Sequence, residues 1–155
     1  MTSSTVHVVC PHCSAINRIP PDRPAQQAKC GICHQQLFSG KPVTANAATF
    51  ERHITRNDIP VLVDFWAPWC GPCLAMAPAY ERAAAELEPD YRLLKVKTEE
   101  EQSLAARYGI RSIPTLMMFM HGHEIARRAG ASDTRGIVSW AKALAGQKER
   151  SASAN

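Results

Sequence analysis

Trp69-Cys70-Gly71-Pro72-Cys73 sets two thiols three positions apart, directly after the apolar run Val61-Leu62-Val63-Asp64-Phe65-Trp66. That run predicts a buried strand, bounded upstream by Asp58 and Pro60. From Leu74 to Leu87 the chain is rich in helix formers. The thiols therefore fall where a strand hands over to a helix N-terminus. Unpaired backbone N–H groups and the helix dipole stabilise an anion there. A thiolate, not a thiol, attacks a disulfide. Cys70 lies at the helix mouth and is expected to attack. Cys73 lies one turn inside and is expected to resolve the mixed disulfide. Gly71-Pro72 suits a first helical turn, because Pro needs no N–H donor there and its φ is preset. A structural disulfide, or half of a metal site, would use the same two cysteines. The strand-to-helix setting and the flanking Trp66 and Trp69 favour redox chemistry.

The N-terminal third holds a second constellation. Cys10-Pro11-His12-Cys13 and Cys30-Gly31-Ile32-Cys33 are two CxxC pairs separated by residues 14–29. Two thiolates on a tight turn converge on one metal, and a second such turn completes a four-sulfur tetrahedral zinc set. Gly31 is expected to help the second turn. His12 and His34 are expected outside the ligand set. Two disulfides, or one redox-active pair, would use the same residues, but neither pair precedes a helical pattern. Large apolar residues are few in residues 1–40, so a metal staple is needed to hold so small a piece. Ile16-Asn17-Arg18-Ile19 reads as a strand leaving the first turn, followed by the Pro-rich Pro20-Pro21-Asp22-Arg23-Pro24. The whole reads as a small zinc ribbon.

Asp64 to Cys73 resembles the active-site segment of the thioredoxin family. Tyr108-Gly109-Ile110-Arg111-Ser112-Ile113-Pro114-Thr115-Leu116 is similar to the family's loop carrying a cis-proline opposite the dithiol. Gly122 and Gly130 fall where the family has glycines. This match covers roughly residues 43–145. With the four-cysteine ribbon ahead of it, and with Ser14-Ala15-Ile16-Asn17-Arg18-Ile19-Pro20, the chain resembles the thioredoxin 2 type over nearly its whole length. The resemblance implies a thioredoxin fold, a mixed sheet flanked by helices. It implies that Asp64 is a buried carboxylate of raised pKa, poised as a base for Cys73. It places Lys95 near that carboxylate and makes Pro114 the cis-proline. Backbone at Ile113 would pair with an incoming extended peptide, and Trp69, Pro72, Ile113 and Pro114 would line the contact surface. It further implies disulfide-containing protein substrates and an NADPH-dependent thioredoxin reductase. One departure stands out: Leu74 occupies a position where thioredoxins often carry Lys or Arg. A cation beside the dithiol is lost, and a less stabilised Cys70 thiolate is expected.

These sites organise the chain into a ribbon over 1–40, a thioredoxin domain over 41–146 and a flexible tail over 147–155. Expected elements of the α/β domain are an edge strand from Pro42, helices over 47–56, 71–88, 99–108 and 134–145, strands over 60–66, 91–96 and 115–120, and a returning strand over 124–128. Pro78 predicts a kink. His121-Gly122-His123 reads as a solvated turn, and Met117, Met118 and Met120 as core or sheet-face residues. The six cysteines are consumed by two sites, which suits a reducing cytoplasm. The N-terminus shows no basic and apolar leader pattern, and no apolar run approaches membrane-spanning length. Formal net charge is +4, yet residues 1–42 carry only Arg18, Arg23, Lys29 and Lys41 against Asp22. Four thiolates with Zn²⁺ add about −2 there, so no nucleic-acid partner is called for. A monomer is expected. The expected activity is protein-disulfide reduction, with structural zinc that could double as an oxidation sensor. A thiol oxidase or isomerase, and a non-enzymatic ribbon adaptor, are the rival readings.

Overall fold

The computed structural model describes the backbone of residues 5–154 and side chains as far as Leu144. The closing helix, expected over 134–145, runs on in the described backbone to Ala154, into the stretch 147–155 expected as a flexible tail, whose side chains lie outside the described residues. Two strands, β1 (Val6–Val9) and β2 (Ile16–Ile19), pair antiparallel to form the ribbon's sheet. After a single 3₁₀ turn at Ala25–Gln27 comes the larger unit. Its elements are β3 (Val43–Thr44), α1 (Ala47–Arg56), β4 (Val61–Trp66), α2 (Gly71–Leu87), β5 (Arg92–Lys97), α3 (Gln102–Arg107), β6 (Thr115–Met120), β7 (His123–Ala129) and α4 (Thr134–Ala154).

The five strands run in the order β3-β5-β4-β6-β7. The first three are parallel, and β6 and β7 are antiparallel to their neighbours. β4 is central and buried on both faces, which explains its unbroken apolar run. Alternation splits its side chains between two cores. Val61, Val63 and Phe65 pack with Phe50, Leu104 and Phe119 on the α1/α3 face. Leu62 packs with Met76, Tyr80 and Ile137 on the α2/α4 face. By the same two-residue period Asp64 points to the α2 face. Met117 and Met118 are buried as expected.

Local chemistry fixes several boundaries. Asn46 and Thr49 form a reciprocal capping box at 2.9 Å in each direction and start α1. Pro78 removes one donor from α2, yet the helix runs on to Leu87. Gly122 turns the terminal hairpin at φ 83°, with both flanking histidines exposed. The helix expected from Glu99 starts instead at Gln102. Glu100 and Glu101 N–H groups fold back on the Lys97 carbonyl at 3.2 and 3.0 Å. The Glu101 carboxylate accepts the Ala47 N–H at 2.9 Å, so it serves the N-terminus of α1 rather than that of its own helix.

The ribbon is bound to the larger unit by buried polar contacts. Arg92 opens β5 and is fully buried. Its guanidinium donates to Glu88 at 3.1 Å, and to the ribbon carbonyls of Val9 at 3.2 Å and Leu37 at 2.8 Å. It also stacks 4.6 Å over the Phe38 ring. Glu88 accepts the Gly40 N–H at 2.7 Å. Asn57 accepts the Val9 N–H at 2.8 Å, and Asp58 accepts the His7 N–H at 2.7 Å. Ile59 completes the ribbon's apolar cluster. Asn57 to Ile59 precede β4 and Arg92 begins the parallel β5. The ribbon is therefore seated at the N-terminal end of these strands, while the dithiol follows the C-terminal end of β4, about 20 Å along a six-residue strand.

Candidate active site and metal centre

β4 ends at Trp66, and the chain turns through Ala67-Pro68-Trp69, with Cys70 N–H closing on the Ala67 carbonyl at 3.2 Å. Cys70 is the N-cap of α2, and its sulfur accepts the Cys73 N–H at 3.2 Å. Pro72 sits in the first turn. Cys70 and Cys73 are joined as a disulfide with Cα atoms 5.2 Å apart. The sulfurs are sheltered, with Cys70 6% and Cys73 2% exposed. The Cys70 sulfur lies 3.7 Å from the Ile113 carbonyl oxygen, and the Ile113–Pro114 bond is cis. Pro114 is buried immediately before β6, and its carbonyl accepts the Gly130 N–H at 2.9 Å. Trp69 and Pro72 are exposed beside the dithiol, and Ile113 is half-buried against it.

Asp64 lies fully buried beneath α2, and its Oδ1 has no hydrogen-bond partner among the described residues. Burial pushes its carboxyl up to about 7, with Lys95 opposing. Lys95 is its register partner on β5, and the Lys95 ammonium rests 4.2 Å over the Trp66 ring. The Tyr80 hydroxyl is buried and donates to the Leu94 carbonyl at 2.8 Å. Burial raises its pKa well above the ordinary value, and the Asp64 charge adds to that rise. Tyr80 shares the buried face of α2 with Cys73 and Met76, so Asp64 lies under the same face as the inner cysteine.

Cys10, Cys13, Cys30 and Cys33 form the second site, with all four sulfurs within 4.8 Å of one another. None is in a disulfide. The close pairs are crosswise, Cys10–Cys33 and Cys13–Cys30, each at 3.6 Å. A tetrahedral zinc with Zn–S bonds near 2.3 Å puts its sulfurs about 3.8 Å apart, so the donor set fits that ion. The two turns repeat one another. Ser14 N–H reaches the Cys10 carbonyl at 3.0 Å and His34 N–H the Cys30 carbonyl at 2.9 Å. His12 N–H donates to the Cys10 sulfur at 3.3 Å, and Ile32 N–H to the Cys30 sulfur at 3.4 Å. Burial pushes the Cys10 thiol up to about 12. At Cys30 burial also acts upward, but backbone N–H groups and the Asn17 amide outweigh it and bring the thiol to about 6. His12 and His34 are exposed and outside the ligand set.

Gly31 is not the left-handed residue of the second turn. The left-handed positions are Ser14 at φ 67° and His34 at φ 65°, each just after the second cysteine of its pair. Asn17 was also unassigned by the sequence. Its amide donates to the Cys30 sulfur at 3.4 Å and its oxygen accepts the Gly31 N–H at 2.9 Å, bracing the second turn from β2. A polar side chain in a short strand between two CxxC pairs is the signal that could have found it.

A redox disulfide capping a helix, opposite a cis-proline at the end of a mixed sheet, defines a thiol–disulfide oxidoreductase. The family model "Thioredoxin" matches residues 41–143, and "Thioredoxin 2, N-terminal" matches residues 9–35, which span all four ribbon cysteines. Thioredoxin C-3 of Corynebacterium nephridii is 40% identical over 133 residues, covering 86% of this chain and 91% of that protein. Thioredoxin 1 of Synechococcus elongatus is 49% identical over 84 residues, 54% of this chain and 78% of that protein. A mutant thioredoxin from Halobacterium salinarum superposes with a TM-score of 0.63 at 30% identity, over 69% of this chain and 93% of that one. The chain belongs to the thioredoxin family, in the thioredoxin 2 type with an N-terminal zinc ribbon.

Proposed function

We propose that the chain reduces protein disulfides by exchange through Cys70 and Cys73. The observation that carries this reading is the Cys70–Cys73 disulfide at the start of α2, which is the product state of such a turnover. In the reduced protein the Cys70 thiolate attacks one sulfur of a substrate cystine. A Cys70–substrate bond forms, the substrate S–S bond breaks, and the departing sulfur takes up a proton. Cys73 loses its proton and attacks Cys70. The second substrate thiol leaves, and the protein holds the disulfide. Two electrons and two protons have passed to the substrate.

Asp64 is proposed to accept the Cys73 proton, since a carboxyl near 7 exchanges protons readily at neutral pH. Trp69, Pro72, Ile113 and Pro114 are proposed as the substrate surface, with the cis geometry at Pro114 turning the Ile113 backbone towards Cys70. A flavoprotein thioredoxin reductase drawing on NADPH is the proposed source of electrons, cystine-bearing proteins are the proposed substrates, and the cytoplasm is the proposed compartment. Among the described residues, no helix is long and apolar enough to cross a membrane. The proposed division is a ribbon over 1–40 and a catalytic domain over 41–146.

Cys10, Cys13, Cys30 and Cys33 are proposed to hold one zinc ion. When bound, zinc would neutralise part of the thiolate charge and cross-link the two turns. Asn17 and the His12 and Ile32 N–H groups orient the sulfurs. A second role in sensing oxidation is proposed as well, because zinc-bound thiolate sulfur can be oxidised with release of the metal. Counting thiols after graded peroxide tests it. Loss of ribbon thiols near the concentration that oxidises Cys70 and Cys73 is expected, and ribbon thiols that outlast the dithiol would end that second role. The main reading is tested by reduction of insulin disulfides. Wild type should be active and Cys70→Ser inactive. No turnover by wild type would leave only an adaptor role, and equal turnover by both would take the chemistry away from Cys70.

A further inference from the structure

Large apolar side chains are almost all buried in this chain. Among the described residues the exposed ones are Ile32 at 74%, Trp69 at 71% and Leu74 at 51%. Ile32 belongs to the ribbon, whereas Trp69 and Leu74 bracket the dithiol. Their positions relative to α2 are specific: Cys70 is the N-cap, so Trp69 is the residue before the cap and Leu74 is the fourth residue of the helix. An apolar pair at these two positions commonly staples a helix start by packing together. A staple that served folding alone would bury its members, yet here both remain half or more open.

Leu74 also leans in a useful direction. Its N–H donates to the Cys70 carbonyl at 3.1 Å, which puts it one helical turn beyond Cys70. Helical side chains lie over the turn that precedes their own Cα, so the Leu74 side chain covers the surface next to Cys70. Its neighbours Gly71 and Pro72 bring no charge, and the exposed Trp69 stands just before the cap. A polypeptide brought to Cys70 therefore meets an apolar rim.

We infer that Leu74 is a specificity-determining residue, selecting extended polypeptides whose cystine is flanked by bulky apolar side chains over those flanked by acids. This rests on the disulfide-reductase reading and adds the substrate class. The occupant must be a polypeptide segment around a cystine, because a cystine is what the Cys70 sulfur exchanges with.

The test uses pre-reduced full-length protein in single turnovers, followed by tryptophan fluorescence. The probes are three disulfide-linked peptides, with Leu/Phe, Gly/Ser or Asp/Glu beside the cysteine. The readout is the ratio of second-order rate constants between peptides for one protein, in which any change of thiolate reactivity cancels. Wild type should favour the Leu/Phe peptide over the Gly/Ser peptide by about fivefold, the effect of half-burying one leucine-sized side chain. Leu74→Ala should lose most of that ratio. Leu74→Lys should shift the Leu/Phe to Asp/Glu ratio towards the acidic peptide by at least about threefold. If both variants keep the wild-type ratios to within about twofold, Leu74 does not select substrates. If wild type reduces none of the three peptides, the reductase reading itself fails, a result distinct from unchanged ratios.

Discussion

Replacing Asp64 with Asn gives the sharpest test of the buried carboxyl. The side chains are nearly isosteric, and the Asn cannot ionise. Burial moves the Asp64 carboxyl from 3.8 to about 7 in the folded oxidised protein. The unfolded chain has no such burial, so its Asp ionises near the ordinary value. Between about pH 4 and pH 7 the folded state holds a proton that the unfolded state has released. Stability then falls as pH rises, by about 1.4 kcal/mol per pH unit for this one group. The accumulated penalty is ~4 kcal/mol and is complete above pH 7. Asp64→Asn should therefore match wild type near pH 4 and be more stable by a few kcal/mol at pH 8. For a chain of this size that is a rise in Tm on the order of 10 °C. Urea unfolding of the oxidised proteins at pH 4, 6 and 8 measures it. An equal difference between the two proteins at all three pH values would refute the argument, since only a titrating Asp64 makes the gap depend on pH.

Other outcomes follow from the same structure. Arg92→Met leaves Glu88 buried beside carbonyls that have lost their donor, and should cost about 3–5 kcal/mol in urea unfolding. Arg92→Met combined with Glu88→Gln should recover part of that loss. Stripping metal with a chelator should remove hydrogen-exchange protection from β1 and β2, because so small an apolar cluster needs its four-sulfur staple. Retained protection at Val8 and Ile19 in metal-free protein would contradict this. In Leu74→Lys the added cation beside the dithiol should lower the pH at which the Cys70 thiolate forms, followed by its ultraviolet absorbance, and an unchanged or higher midpoint would show that Leu74 is electrostatically irrelevant.

Much of the site was legible because its chemistry is local. Cys70, Cys73 and the four ribbon cysteines are each fixed by spacing within a few residues. Asp64 stood out as an acid inside an apolar run, which with the family resemblance implied burial; the face it takes, under α2, came from the packing of β4. What stayed hidden depends on contacts between residues distant in sequence. Nothing local singled out Arg92 within its strand; its partners Val9 and Leu37 are 83 and 55 residues away. Glu99 to Glu101 looked like a helix start, but Glu101 answers to α1 across the fold. Ser14 and His34 adopt left-handed backbone without glycine, so composition did not single them out. Propensity reads a chain's neighbours in sequence, and these choices were made by neighbours in space.

Seating the ribbon at the far end of β4 and β5 gives the molecule two separate heads, one for each sulfur site. A client gripped at the Cys70 mouth occupies one head and leaves the cysteine turns of the other uncovered. A tether holding the ribbon would keep the exchange head free to meet successive clients, so anchorage and turnover need not compete for the same surface.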